Sequence, residues 1–486
     1  MSTATRAFPV EPLAKVRTKI VATVGPASRD PAVLRALAMA GVDLFRLNFS
    51  HGTHDDHTAA IGAIRGLSRE LDRPIAVLQD LGGPKLRLGP VENGLIACEE
   101  KARFVLATAP DPLDPAVLSC THADLPRELS VGESVLFADG TVGMQVVGVD
   151  RESGRATLEV TLPGPLRSRQ GLNLPQTALK IPAITEKDLA DLGWAALHRP
   201  DFIALSFVRS AADVLQLRGE LEARGVDARI VAKIEKPQAL GDLDAILAAT
   251  DAVMVARGDL GVEMDVARVP AAQKKILDAC RKARVPAITA TQMLNSMEHS
   301  NRPTRAEATD VFNAVLDGTD ALMLSGETAI GEYPVDAVAM MSRIAAEAEA
   351  LLDAGKEAAP PTRRWVSPIT EAVVEAAGLT CRRLNAAVLA VWTHSGRTAL
   401  ALSKLRHPTP TLAIADDERV ARAMALFWGV TPIHQPHVAD AQQAMQIAVG
   451  WARDRGLVGP GDRVVLIRGM VPGNPVQNAL LVHEVL

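Results

Sequence analysis

Apolar residues fall along this chain in short continuous runs rather than in alternation. Eight runs, at residues 18–24, 43–47, 75–78, 202–205, 229–232, 252–256, 286–290 and 321–324, are rich in β-branched residues and end on a polar residue or glycine. Continuous hydrophobicity predicts strands buried on both faces. The stretches between them carry helical periodicity, as at residues 30–40 and 271–283. Strand then helix, eight times over, predicts a (β/α)8, or TIM, barrel.

One connection breaks the rhythm. The third strand ends near Asp80 and the fourth begins near Phe202, a gap far longer than a βα unit needs. Its middle, residues 84–179, is rich in Gly, Pro, Val and Leu, with strand-like pieces at 133–137 and 156–161. A small β domain inserted after the third strand would sit over the barrel mouth and could act as a lid. After the eighth strand and a helix over 334–352, residues 354–368 are rich in Ala, Pro and charge and read as a linker. Further runs at 386–392, 411–415, 463–467 and 480–485 predict a last α/β unit. The expected class is α/β: a (β/α)8 TIM barrel from residues 1–83 and 180–353, a small β-barrel lid from 84–179, and a C-terminal α/β domain from 369–486.

Composition agrees and narrows the class. A chain of 486 residues is expected to hold two or three domains, and 48% hydrophobic with only 3% aromatic residues makes their cores aliphatic. A net charge of −5 with no basic stripe argues against a general nucleic-acid binder. Cys98, Cys120, Cys280 and Cys381 form no CxxC pair or close framework, so reduced thiols in a cytoplasmic protein are expected. Residues 1–16 lack the apolar core of a signal peptide, and no apolar run reaches the ~18 residues of a membrane span.

Barrels of this kind carry their chemistry at the C-terminal ends of the strands. In order, those ends carry Arg46, Asn48 and Ser50, then Asp80, Ser206, Lys233 with Glu235, Asp259, Thr291, and Ser325 with Glu327. Two cations, several carboxylates and several hydroxyls on one rim suit a phosphate and a metal. Lys233 ends an apolar run, so its ammonium must be paired or used. Glu235 lies two residues on and shares its side of the strand. Two carboxylates, Glu235 and Asp259, leave open positions for water and phosphate oxygens, which suits Mg²⁺. A salt bridge from Glu235 to Lys233 or Lys236 is the plainer alternative. No Cys/His cluster offers a Zn²⁺ site. The turn Arg257-Gly258-Asp259-Leu260-Gly261 could open a short helix whose free N–H groups hold an anion. Gly82-Gly83-Pro84 marks the expected lid hinge. His54 and His57 are expected on a solvated helix start beside Asp55 and Asp56, which leaves His51 as the histidine of interest. Walker, dinucleotide and protein-kinase motifs are absent, so any nucleotide must be held another way.

These residues, in these places, resemble the pyruvate kinase family. The resemblance runs from residue 17 to 486 and is densest at 46–52 (RLNFSHG), 232–235 (AKIE), 254–263 (MVARGDLGVE), 288–297 (ITATQMLNSM), 303–307 (PTRAE) and 316–327 (LDGTDALMLSGE). It implies phosphoryl transfer from phosphoenolpyruvate to ADP, with Mg²⁺ or Mn²⁺, in a homotetramer. Lys233 matches the lysine that neutralises the transferring group and the enolate. Glu235 and Asp259 match the divalent-metal ligands. Gly258, Asp259 and Thr291 would hold the substrate carboxylate, with Ser206 nearby, and Thr291 would help deliver a proton to the methylene. Arg46 would touch the transferring phosphate. His51, Arg87, Lys187 and Asn48 would face the nucleotide.

The chain also departs from that pattern. Many relatives hold K⁺ with residues matching Asn48, Ser50, Asp80 and a following threonine, but here that position is Leu81, and Lys85 stands where those relatives carry glutamate. Leucine offers a hard cation no side-chain oxygen, and the Lys85 ammonium could supply the positive charge itself. Independence from K⁺ is therefore expected. Thr393, Ser395, Gly396, Arg397 and Thr398 are similar to the phosphate loop of the family's sugar-phosphate effector site. The later loop, 469–479, has no Lys or Arg for a second phosphate, so a monophosphate is expected over a bisphosphate. A metal-dependent aldolase or lyase acting on pyruvate enolate could use the same mouth without Arg87 and Lys187. A non-catalytic metabolite-binding regulator is the third option.

Overall fold

The computed structural model describes residues 16–91, 94–111, 114–177, 181–353, 367–468 and 478–486. Eight parallel strands close into a barrel: β1 (Lys19–Val24), β2 (Leu44–Asn48), β3 (Ala76–Asp80), β4 (Phe202–Leu205), β5 (Arg229–Ile234), β6 (Ala252–Ala256), β7 (Ala287–Ala290) and β8 (Ala321–Leu324). Sequence neighbours pair, and β8 closes on β1 with Lys19 opposite Ala321. Every residue of β3, β4, β6, β7 and β8 is buried. One face fills the barrel with Val21, Leu78, Phe202, Val231, Met254 and Met323, and the other packs on the surrounding helices. That double burial is why the apolar runs are continuous.

The helices start where short polar side chains satisfy their free N–H groups. Thr53 with Asp56, Thr185 with Asp188 and Thr304 with Glu307 each form a reciprocal capping box. The helix Glu186–His198 lies between the returning lid and β4 and completes the βα unit that the insertion interrupts.

The inserted segment is strand-rich. Six strands form one sheet in the order Leu172–Asn173, Ser134–Phe137, Val142–Asp150, Arg155–Leu162, Arg103–Ala107, Val117–Leu118, and Leu95–Cys98 pairs with Gly164–Arg167 in a separate ribbon. As the sequence suggested, the sheet closes on itself: residues 86–89 bridge its two edges, with Arg87 opposite Gly171 and Leu88 opposite Cys120, around one core of Phe104, Leu106, Phe137, Val142 and Leu158. Irregularities after Gly143 and Val146 bend the long central strands around that core.

The C-terminal domain holds a five-stranded sheet in the order Val430–His434, Thr411–Ala415, Val388–Trp392, Arg463–Arg468, Ala479–Glu484, with the last strand antiparallel. The strand Val430–His434 escaped the hydrophobic pattern. It is a half-exposed edge strand containing Pro432, which an edge tolerates. The domain packs under the N-terminal ends of the barrel strands, opposite the lid: Arg422 reaches Asp201 just before β4, and Lys404 reaches Asp320 just before β8. Most of the expected linker, residues 354–366, lies outside the described residues, as do 469–477 of the later effector loop and 178–180 at the expected lid boundary.

Candidate active site

Lys233 is the hub of the barrel mouth. Its Nζ donates to Ser206 Oγ at 2.8 Å and lies 2.9 Å from Glu235 Oε1 and 3.2 Å from Asp80 Oδ1. Arg46 completes the group, with Nε 2.7 Å from Asp80 Oδ2 and Nη1 3.1 Å from Thr23 Oγ1. Asp80 and Glu235 are each 1% exposed, and Arg46 and Lys233 each 9%. Burial works against the Lys233 ammonium, but the Asp80 and Glu235 carboxylates more than offset it and hold its pKa above the ordinary value. Asp80 is likewise buried, yet Lys233 and Arg46 keep its pKa low. Glu235 fares differently. Burial pushes its pKa up to about 7, Lys233 opposes, and the like charge of Asp259 adds to the rise.

Asp259 sits in the first turn of the short helix Arg257–Glu263, the helix that the glycine-bracketed turn suggested. Gly258 N donates to Thr291 Oγ1 at 2.7 Å, and that hydroxyl donates to Ala290 O at 2.7 Å. Thr291 holds φ at +67°, a conformation that a β-branched residue adopts only under constraint. Arg257 supplies part of that constraint by donating to Thr291 O at 2.8 Å. Its bond to Asp310, 2.7 Å away and far along the chain, was not legible in sequence.

Among the described residues, no group of three or more His, Cys, Asp and Glu could by itself hold a metal. Glu235 and Asp259 suit an ion that keeps open positions, because the like charge of Asp259 adds to the cost of ionising Glu235 and a further cation bound by both would offset it.

The remaining expected residues divide. His51 lies within the fields of Arg87, Lys85 and Arg46; partial desolvation and then those charges lower its pKa. The lid's Arg87 is therefore brought to the second-strand loop. Lys187 is at the same rim, but its Nζ binds Asp191 Oδ2 at 2.6 Å and Phe49 O at 2.8 Å. His54 binds Asp191 at 2.8 Å, and His57 is not solvated: it is 9% exposed and stacks on Phe49 with ring centroids 4.0 Å apart. Aromatic cover from Phe49 and Trp194 removes it from water. Glu327 is a brace rather than a free rim carboxylate, accepting from Leu294 N at 3.0 Å and Ser325 N at 2.8 Å.

At the monovalent position, Asn48 Oδ1 accepts from Ser50 N at 3.1 Å. The Leu81 side chain is packed with Ile184, Leu192 and Leu205, and its carbonyl accepts from Ser206 at 2.8 Å. Lys85 is exposed and makes no described ion pair with Asp80, whose oxygens face Arg46 and Lys233. In the C-terminal domain, Thr393, Ser395, Gly396, Arg397 and Thr398 form one loop and helix start. Gly396, at φ +76°, donates to Thr393 Oγ1 at 3.1 Å, and Ser395 O lies 3.5 Å from Arg229 Nη2 at the start of β5.

With this geometry in view, the comparisons with known proteins agree. The family model described as pyruvate kinase, barrel domain, matches residues 15–338, and that for the pyruvate kinase alpha/beta domain matches 371–483. Pyruvate kinase of Geobacillus stearothermophilus is 41% identical over 473 residues, covering 97% of this chain and 81% of the relative. That of Agrobacterium vitis is 44% identical over 459 residues, covering 93% and 95%. The crystal structure of a pyruvate kinase from Cryptosporidium parvum superposes with a TM-score of 0.89 at 32% identity, over 97% of each chain.

Proposed function

The chain belongs to the pyruvate kinase family, and from that premise we propose how its barrel mouth moves the phosphoryl group of phosphoenolpyruvate to ADP, giving pyruvate and ATP. The observation that carries the assignment of roles is the buried group of Lys233, Arg46, Asp80, Ser206 and Glu235, beside Asp259 and Thr291. Phosphoryl transfer asks the protein mostly for position and charge neutralisation. Lys233 and Arg46 supply fixed positive charge in a site largely shut off from water, where it acts most strongly. Ser206 and Asp80 hold the Lys233 ammonium at one point, so little reorganisation is needed when negative charge develops there.

Glu235 and Asp259 would hold the divalent ion, Mg²⁺ or Mn²⁺. Bound there, it would neutralise phosphate and enolate oxygens. Gly258 and Asp259 backbone groups, at the start of their helix, would receive the substrate carboxylate. The constrained Thr291 hydroxyl stands beside Gly258 N, where it would position the proton donor for the enolpyruvate methylene. His51, Arg87 and Lys187, with Asn48, form the side toward the ADP phosphates; Lys187 would exchange Asp191 for phosphate as nucleotide enters. A coupled assay of pyruvate formation, with and without ADP, tests the whole reading. Pyruvate formed only with ADP and a divalent ion supports it. Pyruvate-aldol activity without ATP formation would replace it.

Independence from K⁺ follows from the same site. Asp80 has both oxygens facing cations, and Leu81 turns its side chain into the helix layer. Lys85 would add positive charge from the hinge once substrates draw the lid in. Turnover in Na⁺- and K⁺-free buffer should match turnover in K⁺; strong stimulation by K⁺ overturns this. The loop at 393–398 would accept one phosphate of a sugar-phosphate effector, and a homotetramer is the expected assembly.

A further inference from the structure

Glu263 ends the short helix Arg257–Glu263 and is 2% exposed. Its Oε1 accepts from Lys236 Nζ at 2.6 Å and from Asn173 Nδ2 at 3.0 Å. Three separate segments meet on this carboxylate. Lys236 directly follows Glu235 beyond the end of β5. Glu263 lies four residues after Asp259, one helical turn along the same helix face. Asn173 belongs to the lid strand Leu172–Asn173.

Glu263 lines a cavity of about 140 Å³ with Leu86, Leu172, Ile181 and Phe207 on one side. On the other it lines an open cleft with Asp139, Val262 and Arg268. Its Oε2 has no hydrogen-bond partner, an unmet acceptor that costs stability. A well-packed apolar residue would serve stability as well as a buried ion pair does. What the pair adds is direction: it ties the residue beside Glu235 to the helix carrying Asp259, and the lid to both.

We propose that Glu263 is a positioning residue that sets the spacing of Glu235 and Asp259 and links that spacing to the lid. This rests on the reading that those two carboxylates hold the divalent ion. Two like charges move apart unless something else fixes their backbones. The Lys236–Glu263 pair is placed to do so, one residue from the first and one helical turn from the second.

The test is Mn²⁺ binding to the full-length protein without substrates, by titration calorimetry, alongside steady-state kinetics. Glu263→Gln should weaken Mn²⁺ binding about 10-fold or more and lower kcat, as changes behind a metal ligand do. Asn173→Ala should keep the Mn²⁺ affinity and raise KM for ADP, because it frees only the lid. If Glu263→Gln does not fold, Lys236→Met/Glu263→Gln replaces it, since that double variant leaves no unpaired buried charge. Asp259→Asn is the control. If it binds Mn²⁺ as tightly as the parent, the metal reading itself fails. If Asp259→Asn loses Mn²⁺ while the Glu263 variant stays within about twofold of the parent, the positioning role is refuted. A parental KM for ADP in Asn173→Ala refutes the link to the lid.

Discussion

Lys233 braces the barrel mouth, and the proposed function makes it a reagent as well. Its ammonium joins Ser206, Asp80 and Glu235, so its removal touches structure as well as chemistry. Lys233→Met should still fold, because Arg46 keeps Asp80 paired and Glu235, with a pKa of about 7, takes up a proton instead of remaining a lone buried charge. Turnover should nevertheless fall ~10²–10³-fold, the usual cost of losing a fixed charge at a developing anion. Steady-state kinetics and a melting curve on one preparation separate the two effects, and near-parental turnover would remove Lys233 from the mechanism. His407 makes a different prediction. It is 6% exposed, and burial, then the charges of Arg382 and Arg17, lower its pKa to about 4. Above the unfolded value of about 6.5 both states are neutral there. As pH falls from that value through about 4, only the unfolded chain gains the proton, so stability is lost. The loss is about 3 kcal/mol at most. His407→Gln should remove that part of the acid sensitivity, read as the difference between the two proteins' denaturation free energies at pH 7 and 4.5.

At the scale of elements, the lid hinge is tightly constrained. Gly83 has φ +64°, and a Cβ there would lie 2.9 Å from Ser206 Cβ and 3.0 Å from Phe207 Cδ2. Ser206 orients Lys233, and Phe207 N donates to Glu235 Oε2 at 2.6 Å, so the hinge lies against the residues that hold the proposed chemical centre. Gly83→Ala should cost roughly 1–3 kcal/mol and lower kcat at least ~10-fold through displaced Ser206. Parental kcat with a lowered melting temperature would show that the hinge and the centre are uncoupled. The barrel was legible because its strands are buried on two faces and helical periodicity fills the stretches between them. The edge strand Val430–His434 was not, because half-exposed strands carry a weaker periodic signal.

For the whole molecule, the barrel's N-terminal face is joined to the C-terminal domain by buried charges. Asp320 pairs with Lys404 at 2.6 Å and Arg406 at 2.9 Å, with Asp320 and Lys404 side chains each 1% exposed. The guanidinium groups of Arg17 and Arg406 both lie over the Trp428 ring, 4.9 and 4.6 Å from its centre. Lys404→Met should destabilise this junction by about 3–5 kcal/mol, since it leaves Asp320 under-compensated in a dry interface. Calorimetry should then show the C-terminal domain melting before the barrel; a single transition at the parental temperature would count against the junction.

The strand ends, their polar residues and the order of the motifs were readable from the chain alone, because a parallel barrel repeats one local rule and places each strand's last residues on one rim. The placing of Lys233, Glu235 and Asp259 on that rim could be expected on that ground, and the family resemblance supplied the roles expected of them. What waited on the folded molecule was every partnership between distant segments. Lys236 binds Glu263 and not Glu235, His57 is stacked rather than solvated, and Asp80 faces Arg46 and Lys233 while Lys85 stays at the surface. Spacing along a strand says which way a side chain points, but not which charge from another segment reaches it first.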